Sequence, residues 1–275
     1  MPDIQSKPCF LTPRRLQPDY PLFVFLPAMD GTGQLLRAQT EGLEAGFDVR
    51  CLAIPPDDLT SWDGLVEAVV ESIRAELNPE SRRSIYLCGE SFGGCLAMKV
   101  ALYAPELFDR IILVNPASSF RSRPWILWGS QLSRYLPESM YQLSALALMP
   151  ILANLGLIAP EDREALFTAV KSVPQRTSVW RLSLLSEFKI PDEQFQRLTQ
   201  PVLLLVSSSD RLLPSLAEAE RLAALLPNVR RVILPHSGHA CLLEANVNLY
   251  EILKTHDFLP QQSSDRSQSP THQAS

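Results

Sequence analysis

The sequence predicts an α/β fold: a mostly parallel sheet flanked by helices, with a helical segment inserted between two strands. Three observations predict it. Strand-like runs at 21–27, 47–54, 84–88, 110–115, 201–206 and 229–234 alternate with stretches of helical character. Most of these runs are apolar throughout, as expected of strands covered on both faces. The alternation lapses between about residues 120 and 198, where no convincing strand occurs, and then resumes. At the centre, the apolar run 84–88 meets Gly89-Glu90-Ser91-Phe92-Gly93 and passes at once into an apolar helical stretch at 94–102.

Taken in order, residues 1–19 form a polar, proline-rich extension whose short apolar piece, Cys9-Phe10-Leu11, suits an edge strand. The first core part, 20–119, begins with the strand at 21–27 and a small-residue loop, Ala28-Met29-Asp30-Gly31-Thr32-Gly33. A helix follows over 35–43, then the strand 47–54, stopped by Pro55-Pro56. Thr60 or Ser61 can cap a helix reaching residue 77, with Leu65, Val69, Ile73 and Leu77 on one face. The insertion, 120–198, is rich in Trp, Tyr and Leu and reads as several helices. Its apolar run 143–159 is interrupted by Pro150, Asn154 and Gly156 and is short for a membrane span, so a buried helix pair is expected, with a membrane-touching surface as the alternative. The second core part, 199–259, holds two more strands, a helix at 215–225 and a final helix at 242–253. From residue 260 on, Ser, Gln, Pro and charge predict a disordered tail.

Composition narrows the function. Hydrophobic residues make up 46% and charged residues 20%, an ordinary globular balance, and the formal charge of −5 argues against a nucleic-acid footprint. The five cysteines, Cys9, Cys51, Cys88, Cys95 and Cys241, show no C-x-x-C pair or metal-ligand spacing. They are expected to be reduced and mostly buried, in a cytosol-like compartment, with no metal or cofactor. The N-terminus lacks the apolar segment of a secretory signal.

The chemistry starts at Ser91. A strand that ends at a serine and turns straight into a helix is a nucleophile elbow, which holds the hydroxyl clear of the main chain. Gly89 and Gly93 are needed there because strand and helix pass too close for a β-carbon. The alternative is a glycine-rich turn with no chemical role. A serine hydroxyl needs a base within hydrogen-bond reach, and the base needs a group that fixes its tautomer. In this architecture the chain order is serine, acid, histidine. Of the four histidines, His272 lies in the tail and His256 at the end of the last helix. His236 and His239 follow the last strand, and His239 is preferred because Gly238 lets the loop swing the ring inward. Asp210, in the loop after the preceding strand, is the expected acid. A cap for the following helix is its structural alternative, and Asp109 and Asp192 are weaker candidates. Backbone N–H groups of Phe92 and Met29 are expected to form the oxyanion hole. Asp30 is the rival for Met29, although its carboxylate is expected instead to tie the loop down.

These residues resemble the α/β-hydrolase fold and, more closely, the hydrolase half of the plant phytyl ester synthases and their cyanobacterial relatives, an esterase, lipase and thioesterase group. The likeness rests on Phe25-Leu26-Pro27-Ala28-Met29-Asp30-Gly31-Thr32-Gly33, Phe47-Asp48-Val49-Arg50-Cys51-Leu52, the elbow with Gly94-Cys95-Leu96-Ala97, and Ile112-Leu113-Val114-Asn115-Pro116-Ala117-Ser118-Ser119-Phe120. It departs at Ala28, where the group often has Gly, and at Glu90, where it often has Asp. The plant proteins carry a second, acyltransferase-like half with an H-x-x-x-x-D motif, which does not occur in this chain. The resemblance implies a serine hydrolase of carboxylic esters or thioesters with a lipid-like substrate, located in the cytoplasm, a cyanobacterium or a plastid. Two other readings are an acyltransferase passing the acyl group to an alcohol such as phytol or diacylglycerol, and a non-catalytic ligand-binding module. An intact Ser91, Asp210 and His239 set argues against the last.

Overall fold

The computed structural model describes residues 7–77, 83–123 and 137–260. Its sheet has seven strands in the order β1-β3-β2-β4-β5-β6-β7. β1 (Cys9–Leu11) is the expected edge strand and runs antiparallel to β3 (Asp48–Ala53). The other neighbours, β2 (Leu22–Leu26), β4 (Ile85–Glu90), β5 (Arg110–Val114), β6 (Val202–Ser207) and β7 (Val229–Leu234), are all parallel. Every residue of β2, β4 and β6 is buried, which explains why those runs do not alternate in polarity.

Strand periodicity divides the core into two layers. Leu22, Val24 and Leu26 pack with α2 (Trp62–Glu76) and α3 (Phe92–Tyr103), whereas Phe23 and Phe25 face α1 (Arg37–Glu44) on the other side. Ser61 caps α2 by accepting from the Gly64 N–H, and Leu65, Val69 and Ile73 are buried along one face, as the spacing predicts.

Between β5 and β6 the described residues are helical: α4 (Glu138–Ala147), a single turn at Met149–Leu152, α5 (Pro160–Ser172), α6 (Gln175–Glu187) and another turn at Asp192–Phe195. Trp125, Trp128 and Tyr135 of this segment lie outside the described residues, as does the expected tail from residue 261. The run 143–159 is not the buried helix pair expected from it. Met149, Ala153 and Ile158 are buried, but Leu143 is 70% and Leu148 45% exposed. Pro150 sits in the first turn of Met149–Leu152, where its missing N–H would have had no partner in any case, so it starts a helix instead of extending one.

After α7 (Ser215–Leu225) and β7 the chain differs again from expectation. The helix predicted over 242–253 is a 3₁₀ turn at Cys241–Leu243 followed by α8 (Leu249–Thr255). Glu244 turns inward to accept the Gly238 N–H, and Asn248 restarts the helix by accepting from the Glu251 N–H. Switching from β3 on one side of β2 to β4 on the other leaves a crevice at the carboxyl ends of β2 and β4, where ligands bind in open α/β sheets.

Candidate active site

Ser91 lies at that edge, between β4 and α3, with φ of 52° and ψ of −111°. A non-glycine residue at positive φ is strained by about 1–3 kcal/mol and persists only when its surroundings over-determine it. Here the Ser91 N–H donates to the Val114 carbonyl, and the Ser91 carbonyl accepts from the Gly94 and Ala117 N–H groups. The close approach expected at the flanking glycines is present. A β-carbon on Gly93 would lie 2.0 Å from the Leu26 carbonyl oxygen, and one on Gly89 would lie 2.2 Å from that of Gly93. The same contact presses the loop after β2 against the elbow.

His239, in the loop after β7, is almost fully buried, with Nε2 2.8 Å from Ser91 Oγ and Nδ1 2.7 Å from Asp210 Oδ2. Asp210 does not cap the following helix, whose N-cap is Pro214 with no side-chain cap bond, but it does hold the turn that leads into that helix. Its Oδ1 accepts from the Leu212 and Leu213 N–H groups, and its Oδ2 also accepts from the Ser215 hydroxyl at the start of α7. Turn formation and imidazole contact therefore coexist in one carboxylate. Burial alone would raise Asp210 and depress His239. The attraction between the two outweighs it, holding Asp210 below and His239 above their ordinary values.

The other candidates lie elsewhere. His236 is exposed, with φ of 61°, its N–H on Ser208 Oγ and its carbonyl on Asn154. Asp109 accepts from the Ile85 N–H at the opposite end of β4, and Asp192 pairs with Arg221 in solvent. Asp30 ties its loop down as expected, its Oδ2 accepting from the Thr32 N–H and hydroxyl. The N–H groups of Met29 and Phe92 donate to no protein acceptor among the described residues, and the Phe92 ring stacks on Trp62 at 4.7 Å. The cysteines are free, with Cys9 exposed and the other four buried. Burial lifts the thiols of Cys88, Cys95 and Cys241 well above the ordinary range, as expected of inert core residues.

Several residues that shape the site were not singled out by sequence reasoning. Asn115, fully buried with φ of 41°, donates from Nδ2 to Ser207 Oγ and the His239 carbonyl, and accepts from the Ser207 N–H. Glu244 holds Gly238, and Glu90 is buried beside His239 and Asp30. Burial and the nearby Asp30 push the Glu90 carboxyl up to about 8 despite the pull of His239, so it is protonated at neutral pH. Arg181, from α6, is buried against the loop after β2. Asn115 at a strand end and Glu90 inside the elbow carry a weak positional signal; Arg181 carries none.

A serine, an imidazole and a carboxylate in hydrogen-bonded series are equipped for acyl transfer through the serine oxygen. Among the described residues no group of three or more His, Cys, Asp or Glu side chains could hold a metal. The chain is 34% identical over 259 residues to phytyl ester synthase 1, chloroplastic, of Arabidopsis thaliana, covering 86% of this chain and 37% of that protein. It thus spans little more than a third of that relative's length. It is 27% identical over 194 residues to the pimeloyl-[acyl-carrier protein] methyl ester esterase of Nitrosomonas europaea, covering 67% and 73% of the two chains. Among solved structures, MenH from S. aureus superposes with a TM-score of 0.74 at 14% identity, over 92% of this chain and all of that one. The family model described as alpha/beta hydrolase fold matches residues 61–245, which include the serine, the aspartate and the histidine. The chain belongs to the alpha/beta hydrolase fold family.

Proposed function

We propose that this protein hydrolyses carboxylic esters or thioesters of long-chain or lipid-like acyl groups, through an acyl-enzyme on Ser91. The observation that carries the reading is the strained Ser91 whose Oγ lies 2.8 Å from His239 Nε2, with Asp210 2.7 Å from the other ring nitrogen. Ser91 Oγ attacks the carbonyl carbon while its proton passes to Nε2. Asp210 holds Nδ1–H and stabilises the imidazolium. The Phe92 and Met29 N–H groups receive the developing oxyanion. Collapse expels the alcohol or thiol, which takes the proton from Nε2, and water, deprotonated by the same nitrogen, then releases the acid.

Residues 20–119 and 199–259 act as the hydrolase core, and 120–198 as a cap over it. The buried Met149, Ala153 and Ile158 cluster with Leu35 and Leu243, and the Ala240 N–H donates to the Leu152 carbonyl, which supports an apolar roof near His239. Exposed Met140 and Leu143 on α4 support peripheral contact with a lipid surface. No described helix is long and apolar enough to cross a membrane.

A second reading, transfer of the acyl group to an alcohol such as phytol, is supported by the likeness to phytyl ester synthases and by Ser91 being only 7% exposed, so that water is held back. The test is a 4-nitrophenyl ester series from acetyl to palmitoyl, with fluorophosphonate labelling of wild type and Ser91→Ala. Labelling should vanish in Ser91→Ala, and long acyl chains should be preferred. Strong preference for acetyl ends the lipid assignment, and persistent labelling ends the Ser91 assignment. Labelled acyl donor with phytol separates transfer from hydrolysis by product.

A further inference from the structure

Arg181 comes from the insertion, not from the sheet, yet it is 2% exposed. Its Nη1 donates to the Met29 carbonyl at 2.7 Å and the Asp30 carbonyl at 3.1 Å, and its Nη2 donates to the Pro55 carbonyl at 3.1 Å. All three acceptors are neutral backbone oxygens; Asp30 and Asp58 act on the cation only at longer range. A buried cation without a carboxylate at hydrogen-bond distance is an expensive way to fill space, because an apolar side chain of similar volume would avoid the desolvation.

The held carbonyls belong to the tight turn after β2. The Ala28 carbonyl accepts from the Gly31 N–H at 3.0 Å, which makes Met29 and Asp30 the two central residues. A peptide group is planar and trans, so engaging the Ala28 carbonyl inside the turn points the Met29 N–H outward, away from it. Arg181 then grips the next two carbonyls, those of Met29 and Asp30. Gly31, at φ of 70°, lets the guanidinium come this close: a β-carbon there would lie 2.6 Å from Nη1. The helix that carries Arg181 is itself bonded to the core. The Trp62 indole N–H donates to the Leu184 carbonyl and the Trp180 indole N–H to the Thr60 carbonyl.

We propose that Arg181 is the positioning residue of the oxyanion hole: its guanidinium fixes the Met29–Asp30 turn so that the Met29 N–H faces the reacting carbonyl. The inference rests on the reading of Met29 as an oxyanion donor. It makes the insertion part of the catalytic geometry and not only a cover. A lysine cannot replace the planar fork, because its donors radiate from one atom.

The test compares 4-nitrophenyl octanoate with its thiono analogue, whose carbonyl sulfur is a larger and poorer acceptor in an oxyanion hole. Arg181→Lys should lower kcat on the oxoester by about 10²-fold, with KM within about threefold, as for loss of one oxyanion donor. It should also shrink the oxoester-to-thionoester preference. Should Arg181→Lys not fold, Gly31→Ala displaces the same guanidinium and is read in the same way. A folded variant whose preference stays within about twofold of wild type overturns the proposal, whether or not kcat falls, since a merely structural defect would slow both substrates alike. Met29→Pro deletes the N–H itself at a turn position suited to proline. If Met29→Pro keeps the wild-type preference, the Met29 reading fails independently of Arg181.

Discussion

At the residue scale, the site joins ionisable groups whose surroundings push them apart. His239 must be neutral to accept the Ser91 proton, and its pKa is raised above the ordinary 6.5. The acid limb of kcat/KM should therefore fall above about pH 6.5. In Asp210→Asn burial acts on the imidazole with less opposition, so the limb should move to lower pH while kcat drops by about 10³–10⁴-fold. A pH–rate profile of both proteins checks this; an unmoved limb would count against the pairing. Glu90 gives a second prediction. Its carboxyl is raised from 4.5 to about 8. Between those values the native state keeps a proton that the unfolded chain has lost, so stability falls as pH rises through that window. Gln matches the neutral form, and the full shift corresponds to an upper limit of roughly 5 kcal/mol. Glu90→Gln should therefore be progressively more heat-stable than wild type between about pH 5 and pH 8. A gap in melting temperature that does not widen with pH would refute a buried, protonated Glu90.

At the element scale, the site depends on strand ends being held in register. Asn115 follows β5, and its amide ties the last residue of β6, Ser207, to the His239 backbone beyond the sheet. In Asn115→Ala the Ser207 N–H and the His239 carbonyl lose buried partners, which costs about 1–3 kcal/mol for each unsatisfied group. The expected outcome is a thermal midpoint several degrees lower, together with a kcat loss larger than any change in KM, because the histidine loop loosens. Unchanged kinetics in the folded variant would show that the His239 loop is set by Gly238 and Glu244 instead. The strands themselves were legible, since buried parallel strands must be apolar on both faces. The final helix was not: 242–253 has a helical pattern, but Glu244 is recruited to Gly238 from six residues away, a contact that periodicity does not register.

At the scale of the whole molecule, chemistry and stability occupy opposite ends of the sheet. Where β2 and β3 begin, Asp48 is 1% exposed and receives Arg50 and Arg83, while Arg50 also reaches Glu76 at the end of α2 and the Gln17 N–H joins Asp48 from the N-terminal extension. Burial would raise Asp48, but the two guanidinium groups prevail and hold it below 3.8. Its contribution is complete above that ordinary value and is lost as acid protonates it through the lower folded value. Removing one partner of a buried charge cluster costs about 3–5 kcal/mol. Asp48→Ala should lower stability by that amount in urea denaturation while leaving kcat per folded molecule near wild type. A large kcat loss in the folded variant would mean that the two ends of the sheet are mechanically coupled.

By itself, the sequence determined what depends on local pattern: the alternation of strand and helix, the sharp turn at Gly89-Glu90-Ser91-Phe92-Gly93, and an acid and a histidine in the loops after later strands. Each is written in neighbouring residues, because apolar periodicity and glycine spacing are short-range constraints. The tertiary structure alone decided which distant groups meet. It brought His239 within 2.8 Å of Ser91, let Asp210 serve the turn and the imidazole together, and set Arg181 from the insertion against the Met29–Asp30 turn. Contacts between residues far apart in the chain follow from how layers stack and what space remains between them, and no window of neighbouring residues encodes that.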